Sequence, residues 1–310
     1  MRIAILGATS EVARDLVALL LETGGDELFL YARRPDAVQA WLAPRDLPAP
    51  AANASLDAFP GDQAFDAIIN FVGVGDPAKA LALGSSILDV TQAYDDMALR
   101  YLRKHPACRY IFLSSGAVYG GDFAAPVTGE EPAQVAINRL CPGDWYGVAK
   151  LHAECRHRAR PEEAIIDLRV FSYFSHTQDM SASYLMADAI RAIKSGTPLT
   201  ASGSNIMRDY LHPADFMQLV KAVLRAPPGN AAVDCYSQAP VDKLSLLAAL
   251  QERFGLQYRM AADTPASGRG GKINYYSKSR AAEGYGYRPA FGSLDCILGE
   301  SEKILNGRAT

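Results

Sequence analysis

The first half of the chain alternates short apolar runs with stretches in which apolar residues recur at helical spacing. Apolar runs at 3–6, 27–31, 67–73, 109–115 and 164–171 predict strands. Helices are predicted from Val12 to the Gly24-Gly25 pair and over about 78–103. Strands that are apolar on both faces and alternate with helices are typical of a parallel doubly wound sheet. The pattern therefore predicts an α/β fold of the Rossmann type.

The second half is less regular and predicts a smaller unit. Helical patterns at about 182–195, 213–225 and 243–254 are separated by stretches rich in Gly and Pro. We expect a dinucleotide-binding domain over 1–171 that also receives segments from about 205–240, with 172–310 mainly forming an α/β substrate-binding lid. Ligands of open α/β sheets bind at the carboxyl ends of the strands, which this lid would cover.

Charge and cysteine usage exclude several classes of protein. The 310 residues carry a formal net charge of -3, so no basic excess attracts nucleic acid or an anionic membrane. No apolar run reaches the ~20 residues of a membrane span, and the polar residues after Leu6 interrupt any signal-peptide core. The five cysteines are scattered without a CxxC, and the histidines are dispersed. We expect no metal site, no disulfide framework and a cytoplasmic location.

The turn after the first strand is a candidate phosphate site. Gly7, Ser10 and Ala13 are small residues three apart, which lets the backbone approach a pyrophosphate at the start of the helix. Ser10 and Ala13 are not glycine, and Glu11 is unfavourable beside a phosphate. An ordinary strand–turn–helix without a ligand therefore stays open.

The residues after the second strand bear on the choice of cofactor. Sites for NAD place a carboxylate there, whereas sites for NADP place an arginine near the 2′-phosphate. Arg33 and Arg34 supply positive charge, and no acid precedes Asp36. NADP(H) is favoured and NAD(H) stays possible. The alternative is that both arginines only solvate a surface turn.

Tyr146 and Lys150 form a Tyr-x-x-x-Lys pair, which shares one face of a helix. An ammonium beside a phenol favours the phenolate and would lower the pKa of Tyr146 from ~10, so that it can exchange a proton with a substrate oxygen. Ser115 ends a predicted strand, where its hydroxyl could bind the same oxygen. A solvent-facing helix pair and a serine that binds strand-end backbone are the alternatives.

These motifs occur in the order ILGATSEVA, NFVG, LSSGAVYG, YGVAK, RVFSYF and RDYLHPADF. In that order the chain resembles the extended short-chain dehydrogenase/reductase family, the NAD-dependent epimerase/dehydratase group that acts on nucleotide sugars. The resemblance covers nearly the whole chain. The glycine motif departs from the family's Gly-x-x-Gly-x-x-Gly at two of its three positions.

The resemblance implies roles for individual residues. Ser115, Tyr146 and Lys150 match the catalytic serine, tyrosine and lysine, with Lys150 also holding the nicotinamide ribose. The implied cofactor-binding residues are Gly7, Thr9, Ser10, Glu11, Val12, Arg33, Asp57, Phe71, Val72, Gly73, Tyr146, Lys150 and Phe171. Among them, Asp57 would contact adenine and Phe171 would back the nicotinamide. The resemblance also implies a homodimer through a helix bundle that includes the Tyr146 helix.

The same resemblance implies a nucleotide-sugar substrate. Its binding residues would be Ser115, Ser172, Tyr184, Leu185, Arg208 and Arg269. Arg208 would grip the pyrophosphate, for which the fork of a guanidinium is suited, and Arg269 is a second phosphate candidate. A salt bridge to a nearby acid is the alternative for Arg208, and a flexible glycine loop is the alternative for Arg269.

The residues after Ser115 bear on the type of reaction. Sugar 4,6-dehydratases of the family carry an Asp-Glu pair there, whereas this chain has Gly116-Ala117, which disfavours dehydration. A ketoreductase that releases its oxidised cofactor is favoured by Arg33 and the altered glycine motif. A 4-epimerase with retained NAD is the alternative, and a non-catalytic NADP-binding sensor is the third hypothesis.

Overall fold

The computed structural model describes residues 1–61, 63–73, 77–121, 123–261 and 272–307. The strands are β1 (Arg2–Leu6), β2 (Glu27–Ala32), β3 (Ala52–Ser55), β4 (Ala67–Asn70), β5 (Arg109–Ser115), β6 (Ile165–Val170), β7 (Ser172–Tyr173), β8 (Leu199–Ala201), β9 (Met207–Arg208), β10 (Tyr210–Leu211), β11 (Ala231–Asp234), β12 (Val241–Asp242), β13 (Tyr258–Met260) and β14 (Asn274–Tyr275). The helices are α1 (Glu11–Thr23), α2 (Pro35–Leu42), α3 (Pro77–Leu83), α4 (Ser86–Lys104), α5 (Trp145–Arg158), α6 (Leu185–Ser195), α7 (Pro213–Arg225), α8 (Lys243–Phe254) and α9 (Ser293–Leu305).

A seven-stranded parallel sheet forms the centre of the molecule. Its strand order is β11-β6-β5-β4-β1-β2-β3, and every neighbouring pair runs parallel. The order reverses between β1 and β4, where the connecting helices change faces. This confirms the predicted doubly wound Rossmann sheet, and such a reversal opens a crevice at the carboxyl ends of its strands.

Helices cover both faces of the sheet because its strands are apolar on both sides. On one face, Leu16 and Leu20 of α1 and Val220 of α7 pack against Ile5 and Ile69. On the other face, Leu99 and Leu102 of α4 pack with Ala153 of α5 against strand residues such as Ile68 and Phe112. Burial on this scale, at roughly 25 cal/mol per Å² of apolar surface, is the main source of stability.

One predicted helix is two helices in the structure. The stretch expected as a single helix over about 78–103 breaks at Gly84, which has φ +56 and separates α3 from α4. Glycine adopts this left-handed conformation at little cost, whereas other residues are strained there. The predicted helical stretch over about 78–103 is therefore helical on both sides of a break at Gly84.

A second core lies in the later part of the chain. Met186 and Ile190 of α6, Leu247 and Leu250 of α8, and Ile297 of α9 are buried together. Short strands border this core in the sheets β12-β9-β14, β10-β7 and β13-β8. Across the described ranges, no helix combines the length and the apolar character that crossing a membrane requires.

Candidate active site

The turn between β1 and α1 lies against the chain that leaves β4. Gly7 has φ +80, and a Cβ at this position would lie 2.9 Å from the backbone nitrogen of Val72. Any side chain there would both strain the turn and collide with the neighbouring backbone. The two loops at the sheet reversal therefore meet only because residue 7 is glycine.

The start of α1 suits an anion. The Ser10 side chain does not cap the helix, so it leaves the first-turn N–H groups of α1 to other partners. The Glu11 carboxylate accepts a hydrogen bond from the Asp179 backbone nitrogen at 3.2 Å, which engages the charge that we considered unfavourable beside a phosphate. Together with the close approach of the Gly7 and Val72 backbones, this turn fits the pyrophosphate of a dinucleotide. Thr9 and Val12 flank it and are both half-buried.

Two charged candidates stand at the carboxyl ends of neighbouring strands. Arg33 is exposed and directly follows β2, while Asp57 is exposed in a single 3-10 turn after β3. In the described part of the chain Arg33 makes no ion pair with a carboxylate. The structure thus places both residues at the edge where the adenosine end of a cofactor would lie.

The chain after β4 contributes mainly backbone atoms to the candidate site. The Phe71 ring is buried in the core, 6.2 Å from the ring centroid of Phe216, so only its backbone reaches Gly7. Gly73 follows, and a Cβ there would lie 3.3 Å from Lys150 Nζ. This segment therefore joins the turn after β1 to the Lys150 side chain.

Ser115 and Tyr146 are brought together at the end of β5. Ser115 Oγ accepts a hydrogen bond from the Ala117 backbone nitrogen at 3.2 Å, and the Tyr146 hydroxyl lies close enough for Ser115 to lower its pKa. Tyr146 lies in the first turn of α5, which places its hydroxyl beside the tip of the strand.

Lys150 is buried one turn further along α5. Its Nζ donates to the Leu113 carbonyl at 2.6 Å and lies 4.3 Å from the ring centroid of Phe112 and 6.0 Å from that of Tyr146. Burial lowers the pKa of Lys150 to about 8, although the carboxylates of Asp167, Asp95 and Glu154 oppose this shift.

One expectation about this pair was wrong. We expected Lys150 to lower the pKa of Tyr146, but burial raises that pKa, and the hydrogen bond from Ser115 offsets only part of the rise. The reason is geometric, because the ammonium donates to the carbonyl of Leu113 rather than to the phenol. In this state Tyr146 is a protonated hydroxyl at working pH.

Tyr275 is a site residue that the sequence did not reveal. Its hydroxyl lies 3.2 Å from Ser115 Oγ, on the strand β14 that pairs with β9. The Tyr275 ring packs against Phe171 at 5.2 Å and against Phe123 at 4.8 Å between ring centroids. Its sequence context, INYYS, carries no motif, and only the long-range pairing of β14 with β9 brings it here.

Phe171 explains why Gly116 follows Ser115. A Cβ at residue 116 would lie 2.3 Å from the Phe171 ring. An acidic pair in the dehydratase arrangement therefore has no room at this position unless Phe171 moves.

Arg208 and a second cation lie on the far side of Tyr275. Arg208 donates to the carbonyl oxygens of Met207 at 2.7 Å and Ile273 at 3.3 Å, and in the described ranges it makes no ion pair with a carboxylate. Lys272, which the sequence reading missed, holds its Nζ 4.2 Å from the Tyr275 ring centroid. Burial and the charge of Arg208 lower the pKa of Lys272 to about 8. Neither cation is paired with a carboxylate among the residues that the structure describes, and two such adjacent cations favour an anionic ligand.

The other substrate candidates lie after β6, in the part of the chain that forms the second core. Ser172 lies in β7 opposite Tyr210, Tyr184 donates to Gln178 Oε1 at 3.1 Å, and Leu185 packs against the lid core. Arg269 lies outside the described residues. In the described part of the chain, no cluster of three or more His, Cys, Asp or Glu side chains is arranged to hold a metal ion.

Comparison with known proteins identifies the family. The model of the NAD dependent epimerase/dehydratase family matches residues 3–235. A curated relative, UDP-glucose 4-epimerase 2 of Oryza sativa subsp. japonica, is 28% identical in an alignment of 200 residues that covers 55% of this chain. That match spans 45% of the relative, so the chain covers less than half of that protein's length.

Solved structures share the fold at low sequence identity. UDP-glucose 4-epimerase from Bifidobacterium longum, in complex with NAD+ and UDP, has a TM-score of 0.77 at 18% identity, covering 99% of this chain and 98% of that one. UDP-N-acetylglucosamine 4-epimerase from Methanobrevibacter ruminantium M1, in complex with UDP-N-acetylmuramic acid, has a TM-score of 0.82 at 13% identity, with 99% and 98% covered.

Proposed function

Because the chain belongs to the NAD-dependent epimerase/dehydratase family, we propose that it is a nucleotide-sugar oxidoreductase that reduces a keto group with NADP(H). The observation that carries this proposal is the placement of the Tyr146 and Ser115 side chains together at the tip of β5, beside the buried Lys150. A proton donor and a second hydroxyl at one point are what a reacting carbonyl oxygen requires.

The roles of these side chains follow from their protonation. Tyr146 is held as a phenol by burial, so it donates its proton to the sugar oxygen, and Ser115 binds the same oxygen. A bound nicotinamide supplies the hydride. Lys150, between Gly73 and Leu113, binds the cofactor ribose and keeps positive charge near the phenol as its proton leaves.

We assign the phosphates of the substrate and those of the cofactor to different groups of the protein. Arg208 and Lys272 bind the pyrophosphate of the nucleotide sugar, which places its sugar ring toward Tyr275 and Ser115. The first turn of α1 binds the cofactor pyrophosphate, and Arg33 binds a 2′-phosphate. Ser172, Tyr184, Leu185 and Arg269 stay predictions for the remaining substrate contacts.

A second candidate is 4-epimerisation with retained NAD. It is supported by the names of the curated relative and of the two solved structures described above, which are 4-epimerases, and by the NAD+ in the complex of one of them. Both candidates use the same proton chemistry at Tyr146, and they differ in whether the cofactor leaves after one hydride transfer.

Substitution of Tyr146 tests the proposal. Purified protein is assayed with UDP-glucose, UDP-galactose, their N-acetyl forms and 4-keto derivatives, using NADPH and NADH. Tyr146→Phe should lower turnover at least ~100-fold, the contribution of a general acid. Tyr258→Phe, at a half-buried tyrosine of β13, is the matched control and should keep full activity. Unchanged turnover in Tyr146→Phe would overturn the proposal.

The cofactor decides between the two candidates. Arg33→Ala should weaken NADPH binding about tenfold and leave NADH binding unchanged, because only NADPH carries the 2′-phosphate. Arg100→Ala, an exposed arginine of α4, is the control. Protein purified with tightly retained NAD, and an Arg33→Ala variant without effect on NADPH, would instead establish the epimerase.

We also propose that the chain works as a homodimer in a reducing cytoplasm. The support is that α4 and α5 lie side by side on one face of the sheet, as a helix bundle between two copies requires, and that all five cysteines are unpaired. Sedimentation equilibrium that gives a monomer would contradict the dimer.

A further inference from the structure

We infer that Tyr275, anchored through Ser277 to the buried carboxylate of Asp234, is a positioning residue that makes Ser115 a hydrogen-bond donor to the reacting oxygen. This inference rests on the proposed function. It adds three residues to the site formed by Ser115, Tyr146 and Lys150. These are Tyr275, Ser277 and Asp234, and together they orient the Ser115 hydroxyl.

The hydrogen-bond capacity of Ser115 leads to this role. A hydroxyl has one proton to donate and two lone pairs that accept. Ser115 Oγ accepts from the Ala117 nitrogen at 3.2 Å and lies 3.2 Å from the Tyr275 hydroxyl. If Tyr275 donates to Ser115, both lone pairs are filled, and the Ser115 proton is left to point toward Tyr146 or a substrate oxygen.

The direction of the Tyr275 bond is assigned from the chemistry of the two hydroxyls. A phenol is a stronger donor and a weaker acceptor than an aliphatic hydroxyl, so we assign the proton of the 3.2 Å contact to Tyr275, which donates to Ser115 Oγ. Burial raises the pKa of Tyr275, and the neighbouring Tyr146 raises it further, so Tyr275 keeps this proton at working pH. A serine held as a donor stabilises negative charge on the oxygen opposite it.

The position of Tyr275 is set by a buried carboxylate. Two residues along the chain, Ser277 Oγ donates to Asp234 Oδ2 at 2.6 Å, and both residues are buried. Val127 forms an isolated parallel bridge with Ser277, and Tyr275 pairs with Arg208 across β14 and β9. The segment that carries Tyr275 is therefore held on both sides of the tyrosine.

The same carboxylate is tied to the helix that carries Tyr146. The Tyr119 hydroxyl donates to Asp234 at 2.8 Å and accepts from Arg169 at 2.7 Å. Arg169 pairs with Glu154 of α5 at 2.6 Å, and Glu154 accepts from the Ser114 hydroxyl at 2.5 Å. This chain of contacts fixes Tyr275, the tip of β5 and α5 relative to one another.

A double-mutant cycle tests the inference. Tyr275→Phe should lower kcat about tenfold with KM changed less than about threefold, since it removes one oriented hydrogen bond. Ser277→Ala should lower kcat about threefold alone, Ser277→Thr should restore it, and Ser277→Ala should cost nothing further in Tyr275→Phe. Tyr276→Phe, the neighbouring tyrosine, is the control and should leave kcat unchanged. Additive losses would overturn the inference, because they would show that Ser277 does not act through Tyr275.

The pH dependence of kcat distinguishes this positioning role from a loss of packing, because a loss of packing would not shift the apparent pKa of Tyr146. Without the bond from Tyr275, Ser115 is a weaker donor to the Tyr146 phenolate, so the apparent pKa assigned to Tyr146 should rise in Tyr275→Phe. The direction is the same for reduction and for epimerisation. An unchanged pKa in a variant with reduced kcat would overturn the inference.

Crystal structures of Ser277→Ala and Asp234→Asn keep the inference testable without turnover. We expect the distance from the Tyr275 hydroxyl to Ser115 Oγ to be longer than 3.2 Å in both, and an unchanged distance would overturn the anchoring role. Failure here is distinguishable from failure of the proposed function, which is judged on Tyr146→Phe alone.

Discussion

Gly116 shows how one missing side chain shapes the active site. A Cβ at residue 116 would lie 2.3 Å from the Phe171 ring, and that ring packs in turn against Tyr275. Gly116→Ala should lower the free energy of unfolding by about 2 kcal/mol, the cost of overpacking a buried site. Thermal unfolding measures this, with Gly143→Ala as the control because a Cβ there meets nothing within 4 Å. Phe171→Leu should restore part of the loss, and no rescue would contradict the steric explanation.

Lys272 should make nucleotide binding depend on pH. Burial and Arg208 lower the pKa of Lys272 to about 8, so its positive charge is lost as pH rises through this range, while a bound anion raises the pKa again. The affinity for UDP should therefore fall about tenfold between pH 7 and pH 9.5. Calorimetric titration with UDP measures it.

The variants of Lys272 separate charge from shape. Lys272→Arg should keep the affinity at high pH, because a guanidinium stays protonated. Lys278→Ala, an exposed lysine of the same segment, should bind UDP like the parent protein. A pH dependence that persists in Lys272→Arg would assign the titration to another group.

Residue spacing allowed only part of this site to be predicted. Tyr146 and Lys150 share a helix face, and Ser115 ends a strand, so local periodicity was enough to propose them together. Tyr275 and Lys272 reach the site through pairing of β14 with β9, more than 60 residues apart in sequence. No local pattern encodes such a pairing, and the pKa of Tyr146 depended on burial that spacing does not specify.

At the scale of elements, a buried histidine joins α4, α5 and the sheet. His157 of α5 contacts Asp167 of β6 at 2.6 Å through Nδ1 and Asp95 of α4 at 2.8 Å through Nε2. Burial disfavours its charge, but the two carboxylates outweigh burial and raise the pKa of His157 to about 9. The imidazolium therefore bonds both helices to the strand.

The pKa of His157 predicts how stability changes with pH. Because it is raised from the ordinary value of 6.5 to about 9, its contribution is complete below pH 6.5 and is lost as pH rises through 9. Lys150 has a lowered pKa and acts in the opposite sense above pH 8, so the measured quantity is the difference between parent and variant. His157→Gln should cost about 3 kcal/mol near pH 6 and less at pH 9.5, in urea unfolding.

The matched control for this prediction is on the same helix. His152 of α5 is exposed, and His152→Gln should leave the free energy of unfolding unchanged at every pH. A cost for His157→Gln that does not decrease between pH 6 and pH 9.5 would show that packing, rather than charge, is what His157 contributes.

Elements were easier to predict than their ends. The apolar run at 67–73 predicted β4, but the strand ends at Asn70, because the Asn70 side chain accepts from the Val72 nitrogen and turns the chain. The helix over 213–225 was predicted with its observed bounds, since Pro213 starts it and Pro227 follows it. Short pairings such as β12-β9-β14 were absent from the prediction, because two-residue strands carry no periodicity.

At the scale of the molecule, the chain leaves the central sheet and returns to it. After β6 it forms β7 and α6, which border the second core, then comes back with α7 on one face of the sheet and β11 at its edge. The domain division at residue 171, with about 205–240 assigned to the dinucleotide-binding domain, stays a prediction. Residues near 282–287 also join the first core, through Ala282 and Tyr287, which the prediction did not include.

This connectivity predicts that the protein unfolds as one unit. A fragment of residues 1–171 lacks α7 and β11, so the apolar faces that pack on Phe216, Leu219 and Val233 would be exposed to water. We expect the fragment to aggregate or to lack a cooperative thermal transition, while the full chain shows a single transition by both calorimetry and circular dichroism. A fragment that adds residues 205–240 through a flexible linker should regain a transition. If 1–171 melts cooperatively on its own, the returning segments cover the sheet without being required for it, and the lid could then open independently of the dinucleotide-binding core.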